Sequence, residues 1–259
     1  GKNQFNSSFP ASLVAYMQAK QTEPVYLTLD KNSNIKHKKI SGEDLFGMSP
    51  LSENLFYGFE QTYQPFAKFY TGKSERIDLV LSKNDDNMPL RGLEVKLTAL
   101  PDNTTKNLPE DEYSCEIVVR PPTICFVACS ICSHYSTSAK KEKLRKLLSG
   151  VPYITHWEMI EEVAPHYEEI KEAVLRVMKD LVAHQTPIMI QPVWKTTGKN
   201  FRLAEDCLDV FVWSDIATLK MSIDTTYTLK DINRFQRTII WVYKMLFDYV
   251  TFGQFDYIT

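Results

Sequence analysis

Residues 76–97 read RIDLVLSKNDDNMPLRGLEVKL, and the hairpin that they predict organises the rest of the chain. Two largely apolar runs, Ile77–Ser82 and Leu90–Ala99, flank the polar segment Asn84–Asn87. Asn and Asp favour tight turns because their side chains bond to the nearby backbone. An apolar run on each side of such a turn predicts two antiparallel strands.

Strand and helix patterns alternate along the rest of the chain. Apolar, mostly β-branched or aromatic runs bounded by turn residues predict strands at 25–29, 35–40, 115–120, 188–194 and 208–213. Apolar residues three and four apart predict helices at 12–20, 53–70, 138–148, 155–184 with a kink at Pro165, and 228–250. The run 123–133 fits either a buried helix or a strand. These patterns predict one α/β domain, with a mixed central sheet flanked by helices.

The second strand of the hairpin separates charged from apolar side chains. Successive side chains of a strand point to opposite faces, so Glu94 and Lys96 share one face while Leu93 and Val95 take the other. Asp78, on the preceding strand, can lie beside the charged pair. Charges inside an apolar strand are costly unless they are paired or bind an ion. The pattern therefore indicates a charged site at the edge of a sheet.

Two carboxylates and one ammonium suit metal-dependent cleavage of a phosphodiester. The carboxylates of Asp78 and Glu94 offer the hard oxygen ligands that Mg²⁺ prefers, and the Val95 carbonyl can complete the shell. A metal ion lowers the pKa of a bound water and neutralises charge in the transition state. Lys96 can position or activate that water. Glu60 is an additional acidic candidate on the predicted 53–70 helix, where a partly buried structural role is equally consistent.

The composition of the chain and the motifs that it lacks exclude several classes of protein. The chain has 259 residues, a net charge of −2, five cysteines and nine glycines. The odd cysteine count, with no secretory signal, predicts a reduced cytoplasmic protein. No apolar run reaches the ~20 residues of a membrane span. The sequence has no G-x-G-x-x-G after a strand, no G-x-S-x-G and no H-E-x-x-H, and Gly42–Gly47 lacks the lysine of a phosphate loop.

The arrangement Asp78 … Glu94-Val95-Lys96 resembles the PD-(D/E)xK nuclease superfamily, with Ile77 where the motif's name has proline. Longer stretches resemble the HindVP-like type II restriction endonucleases. These are GKNQFNSSFPASL at 1–13, RGLEVKLTALPDNTT at 91–105 and CEIVVRP at 115–121. The resemblance covers the first half of the chain, and the second half matches only loosely.

The resemblance implies a Mg²⁺-dependent endonuclease that cuts double-stranded DNA at a short palindrome of the form GRCGYC, as a homodimer and with no membrane partner. It assigns 1–259 to one restriction-endonuclease-like domain, with an N-terminal segment (1–55), a catalytic core (56–135) and completing elements (136–259). Residues expected to contact DNA are Asn103, Thr104, Thr105, Lys106 and Arg120. Two alternatives are a nuclease without a fixed target sequence and a non-catalytic DNA-binding protein on the same fold.

Overall fold

The computed structural model describes residues 2–21, 23–73, 75–95, 121–185, 187–193, 196–197, 200–201, 209–224 and 234–257. The helices are α1 (Lys2–Lys20), α2 (Gly42–Phe46), α3 (Pro121–His134), α4 (Ser138–Leu147), α5 (Ile160–Val163), α6 (Tyr167–Leu181), α7 (Asp215–Asp224) and α8 (Arg234–Phe252). The strands are β1 (Val25–Leu29), β2 (Ile35–Lys39), β3 (Leu55–Gln61), β4 (Tyr70–Thr71), β5 (Ile77–Lys83), β6 (Pro89–Val95), β7 (Pro187–Val193), β8 (Thr196–Thr197), β9 (Asn200–Phe201), β10 (Asp209–Ser214) and β11 (Phe255–Asp256).

A mixed sheet forms the centre of the molecule, as the sequence predicts. Within the described ranges it has seven strands in the order β2-β1-β10-β7-β6-β5-β3. The pairs β1–β10 and β6–β7 are parallel, and the other neighbours are antiparallel. Parallel neighbours need long connections, so the sheet joins strands from both halves of the chain.

Helices cover both faces of this sheet. The face of Leu79 and Leu93 packs against α1 and α2, whose buried residues include Leu13 and Phe46. The other face, which carries Leu27 and Val80, packs against α3, α4, α6, α7 and α8. This arrangement of three layers encloses two apolar clusters, one on each face of the sheet, and confirms the mixed α/β class.

Helix α3 fills the centre of the second layer. Ten consecutive residues, Thr123 to Cys132, are buried, which is typical of a helix enclosed on all sides. The structure thus decides the alternative left open for 123–133 in favour of a helix. Cys125, Cys129 and Cys132 are free thiols in this core. Burial raises the pKa of the Cys129 and Cys132 thiols well above the ordinary value.

The prediction of a helix at residues 53–70 is wrong. Residues 55–61 form β3, an edge strand paired with β5, and a 3-10 turn and the short β4 follow it. Large apolar residues at 55, 56, 59, 63, 66 and 69 have the spacing of a helix, but β5 pairs with β3 at every position except Glu60. The N-terminal region is also more regular than expected, since α1 begins at Lys2 rather than at residue 12.

Several other predicted elements are confirmed. Strands β1, β2, β7 and β10 lie within one residue of the predicted strands 25–29, 35–40, 188–194 and 208–213, and α8 covers most of the predicted 228–250 helix. The predicted kink at Pro165 appears as a 3-10 turn between α5 and α6. The predicted strand 115–120 lies outside the described residues. Within the part of the chain that the structure describes, no helix combines the length and apolar character needed to cross a membrane.

Candidate active site

The hairpin β5–β6 brings Asp78 and Glu94 side by side. The last main-chain pair of the two strands is Leu79 with Leu93, so the next residue of each strand, Asp78 and Glu94, occupies the following register position. Residues opposite each other in an antiparallel pair point to the same face of the sheet. The predicted meeting of these two carboxylates therefore agrees with the register of the sheet.

The Asp78 side chain accepts a hydrogen bond just beyond the point where the main-chain pairing of β5 and β6 ends. The Val95 N–H donates a hydrogen bond to Asp78 Oδ2 at 2.9 Å. A carboxylate on one strand thus accepts from the backbone of the next strand, in place of a main-chain carbonyl. Among the described residues, this is the one hydrogen bond that the Asp78 carboxylate makes. It fixes the position of one of the two carboxylate oxygens. Sequence patterns did not reveal this bond, because they carry no information on where a ladder ends.

Glu94 is a buried acid whose two neighbours in β6, Leu93 and Val95, are apolar and face the opposite side of the sheet. Its side chain is 7% exposed, and the neighbouring Leu93 is fully buried. Leu93 and Val95 belong to or pack against the apolar cluster beneath α1 and α2, so Glu94 points toward the other face. The separation of charged from apolar side chains on β6, expected from the sequence, is confirmed for Leu93, Glu94 and Val95.

A glycine and a tyrosine shape the strand next to Glu94. A β-carbon at Gly92 would lie 3.1 Å from Ile77 Cδ1 and 3.3 Å from Tyr63 Cγ. The missing side chain therefore lets the Tyr63 ring lie directly on the backbone of β6. Burial raises the pKa of the Tyr63 phenol, an effect that the charge of Arg91 partly offsets. Sequence reasoning missed this contact, although a glycine two residues before Glu94 was the available signal.

Glu60 lies on β3, at the register position beside Asp78. The pairs Phe59–Leu79 and Gln61–Ile77 enclose it, which puts Glu60, Asp78 and Glu94 on three adjacent strands. However, the backbone of Glu60 has a φ of 46°, a left-handed value that interrupts the strand. Within the described ranges, no three His, Cys, Asp or Glu residues form a group that could hold a metal ion.

Two carboxylates are compatible with a magnesium site of the catalytic kind. Mg²⁺ in nucleotide and nucleic-acid enzymes is held by one or two carboxylates, and water and substrate phosphate supply the remaining ligands. Asp78, with one oxygen fixed by Val95, and the buried Glu94 match that donor set. The described residues therefore fit such an ion without needing a third acidic ligand.

The remaining predicted site residues lie outside the described residues. These are Lys96, Asn103, Thr104, Thr105, Lys106 and Arg120. The described part of β6 ends at Val95, so Lys96 follows it directly in the chain.

The family model described as "HindVP restriction endonuclease" matches residues 1–259. The chain is 38% identical over 260 residues to the type II restriction enzyme HgiDI of Herpetosiphon aurantiacus, covering 99% of this chain and 72% of that protein. It is 36% identical over 262 residues to the probable type II restriction enzyme HindVP of Haemophilus influenzae, covering 99% of this chain and 68% of that protein. No solved structure matches the chain.

The match to the family model extends the resemblance from the first half of the sequence to its whole length. Each of the two relatives is covered over more than two thirds of its length. The predicted resemblance is confirmed. The chain belongs to the HindVP restriction endonuclease family, and thus to the type II restriction enzymes.

Proposed function

We propose that this protein hydrolyses double-stranded DNA at a short palindrome of the form GRCGYC, leaving 5′-phosphate and 3′-hydroxyl ends. In this proposal it uses Mg²⁺, acts as a homodimer and works in the cytoplasm on a restriction-endonuclease-like core. The observation that carries the proposal is the adjacent pair Asp78 and Glu94, with one Asp78 oxygen held by the Val95 N–H at 2.9 Å. Family membership supports DNA as the substrate.

The carboxylates of Asp78 and Glu94, with the Val95 carbonyl, would hold the metal ion. When bound, the ion lowers the pKa of a water ligand and neutralises charge on the phosphate. Asp78 is oriented by the Val95 N–H, so its bonded oxygen is fixed before substrate arrives. Burial of Glu94 keeps bulk water from screening its charge.

Lys96 follows Val95 directly, and alternation assigns its side chain to the same face as Glu94. Its ammonium would position the attacking water and offset charge on the phosphate. Glu60, in the next strand position beyond Asp78, would add negative potential at the same end of the sheet. Asn103, Thr104, Thr105, Lys106 and Arg120 would contact the DNA backbone or bases.

A palindromic target has two-fold symmetry, so a two-fold dimer would present one active site to each strand. This is the reason for proposing two copies of the chain per cleaved site.

The test is digestion of a supercoiled plasmid that carries known GRCGYC sites, with Mg²⁺ and with EDTA as the control, followed by run-off sequencing of the ends. We expect discrete fragments that require Mg²⁺ and end within GRCGYC. Discrete fragments at another sequence would overturn the target, and a smear would overturn sequence specificity. A folded protein that binds DNA without cutting it would overturn the catalytic assignment.

A further inference from the structure

The edge strand β2 is basic and fully exposed. It reads IKHKK, and each of its five residues is exposed to solvent. Three of the five are lysines and none is acidic. It forms one edge of the central sheet, opposite the edge formed by β3.

Near its C-terminal end, the positive charges of β2 are directed to solvent. Lys36 Nζ lies 3.6 Å from Asp30 Oδ2 at the turn end of the hairpin. Lys38 Nζ lies 5.2 Å from the centroid of the Tyr26 ring, a contact that orients the ammonium without neutralising it. Within the described residues, neither Lys38 nor Lys39 forms an ion pair with a carboxylate.

Helix α4 is another basic segment, and three of its five basic residues make side-chain contacts within the protein. Lys143 pairs with Asp180, and Lys141 lies over the ring of Tyr249. Arg145 pairs with Glu142 and also donates to the carbonyl of Val250 in α8. Lys141, Lys143 and Arg145 of α4 are thus held by contacts within the protein, whereas Lys38 and Lys39 of β2 remain available to an external anion.

The register of the sheet relates β2 to the candidate active site. Lys38 pairs with Tyr26, which lies opposite Val212; Val212 pairs with Ile190, which lies opposite Val95. Lys38 therefore occupies the same transverse row of the sheet as Val95, four strands away, and lies on the same face as Val95. Lys39, the next residue, lies on the opposite face, which is the face of Glu94. Strands are about 4.8 Å apart, so this distance is about 19 Å.

We propose that Lys38 and Lys39 bind backbone phosphates of the DNA that flanks the cleavage site. This inference rests on the proposed function, because it takes duplex DNA as the ligand at Asp78 and Glu94. In this proposal the DNA axis runs along the row that joins Lys38 to Val95. Phosphates of one strand advance about 3.4 Å along the axis per nucleotide, so 19 Å corresponds to about 5 to 6 base pairs. Two lysines at that distance add affinity without reading sequence.

The experiment measures binding of the full chain to labelled duplexes in EDTA, with and without GRCGYC, over a range of salt concentrations. The variant is Lys38→Gln with Lys39→Gln. The matched control is Lys171→Gln with Lys179→Gln on α6, which removes the same charge. Each pair has one lysine over a tyrosine ring, at 5.2 Å for Lys38 and 5.8 Å for Lys171, and one exposed lysine. Lys171 also pairs with Glu168, so thermal unfolding checks that the control variant remains folded.

Each lost phosphate contact lowers the slope of log K against log salt by about 0.9, so we expect the β2 variant to lower it by about 2. Affinity should fall equally on both duplexes, the α6 control should match the wild type, and Lys38→Arg with Lys39→Arg should restore the slope. A β2 variant with the wild-type slope would overturn the inference and leave these lysines as protection of an exposed strand edge. A wild-type chain that binds neither duplex would instead overturn the proposed function, and with it this inference.

Discussion

The two faces of the β5–β6 hairpin differ in the residues that they carry and in the roles of those residues. On one face, Leu79, Leu81 and Leu93 are at most 1% exposed and belong to a single apolar cluster with α1 and α2. On the other face, Asp78 and Glu94 lie at the end where the ladder stops. Because successive side chains alternate, one pair of strands separates the residues that stabilise the fold from those proposed to act on substrate. Substitutions on the two faces should therefore affect different measurements.

The largest effect is expected from Asp78→Asn. The amide keeps an oxygen that can accept the Val95 N–H but loses the charge, so folding should persist while metal binding fails. Loss of about 4 kcal/mol of transition-state stabilisation corresponds to a rate about 10³-fold lower. Plasmid cleavage in Mg²⁺ measures the rate, and thermal unfolding checks the fold. Asp85→Asn, in the exposed turn of the same hairpin, should cleave like the wild type. Cleavage by Asp78→Asn near the wild-type rate would remove Asp78 from the site.

Leu93→Ala tests the apolar face. Leu93 is fully buried in the apolar cluster that includes residues of α1 and α2, so its truncation leaves a cavity that should lower the free energy of unfolding by about 2–5 kcal/mol. Cleavage per folded molecule should be retained. Urea denaturation measures the change, with Met88→Ala, 46% exposed in the same hairpin, as the control. A variant that is stable but inactive would contradict the division between the faces.

Gly92→Ala adds bulk on the face of Glu94. The new methyl group would press on Ile77 Cδ1 and the Tyr63 ring, at 3.1 and 3.3 Å. Overpacking of this kind costs about 1–3 kcal/mol. The double variant with Tyr63→Ala should cost less than the sum of the two single variants, because removing the ring relieves the crowding. Additive free energies of unfolding would show that Tyr63 does not pack on Gly92.

The smallest effect is expected from Ser41→Ala. Ser41 caps α2, and its Oγ accepts the Asp44 N–H at 3.1 Å. Losing this cap should lower the free energy of unfolding by about 1 kcal/mol, because α2 covers the apolar face of the sheet. Cleavage should not change. Calorimetry measures the stability, and Ser41→Asp should restore it as an alternative cap; a cleavage defect in Ser41→Ala would link α2 to the active site.

The sequence predicts the hairpin and its charged face well because both depend on local rules. Alternation assigns Glu94 and Leu93 to opposite faces, and the polar segment Asn84–Asn87 marks the turn. The sequence does not predict the parallel pairs β6–β7 and β1–β10, because these pairs join residues that are distant in the chain. No local pattern specifies which distant strand will pair.

The error at β3 has a specific physical cause. Leu55, Phe56 and Phe59 fit the spacing of a helix, yet Phe56 is 52% exposed on an edge strand. Pairing with β5 overrides the local pattern, as tertiary context often does. It also moves Glu60 from a predicted helix to the register position beside Asp78, a position that helical spacing could not reveal.

The enclosed position of α3 makes its cysteines natural probes of opening. Cys125, Cys129 and Cys132 are all buried, and burial raises the pKa of the Cys129 and Cys132 thiols. Buried thiols react slowly with alkylating reagents, so these cysteines become labelled only when the layer of helices around them separates. Their rate of labelling therefore reports how often this layer opens, without any introduced dye. DNA bound to the folded state would slow that labelling in proportion to its occupancy.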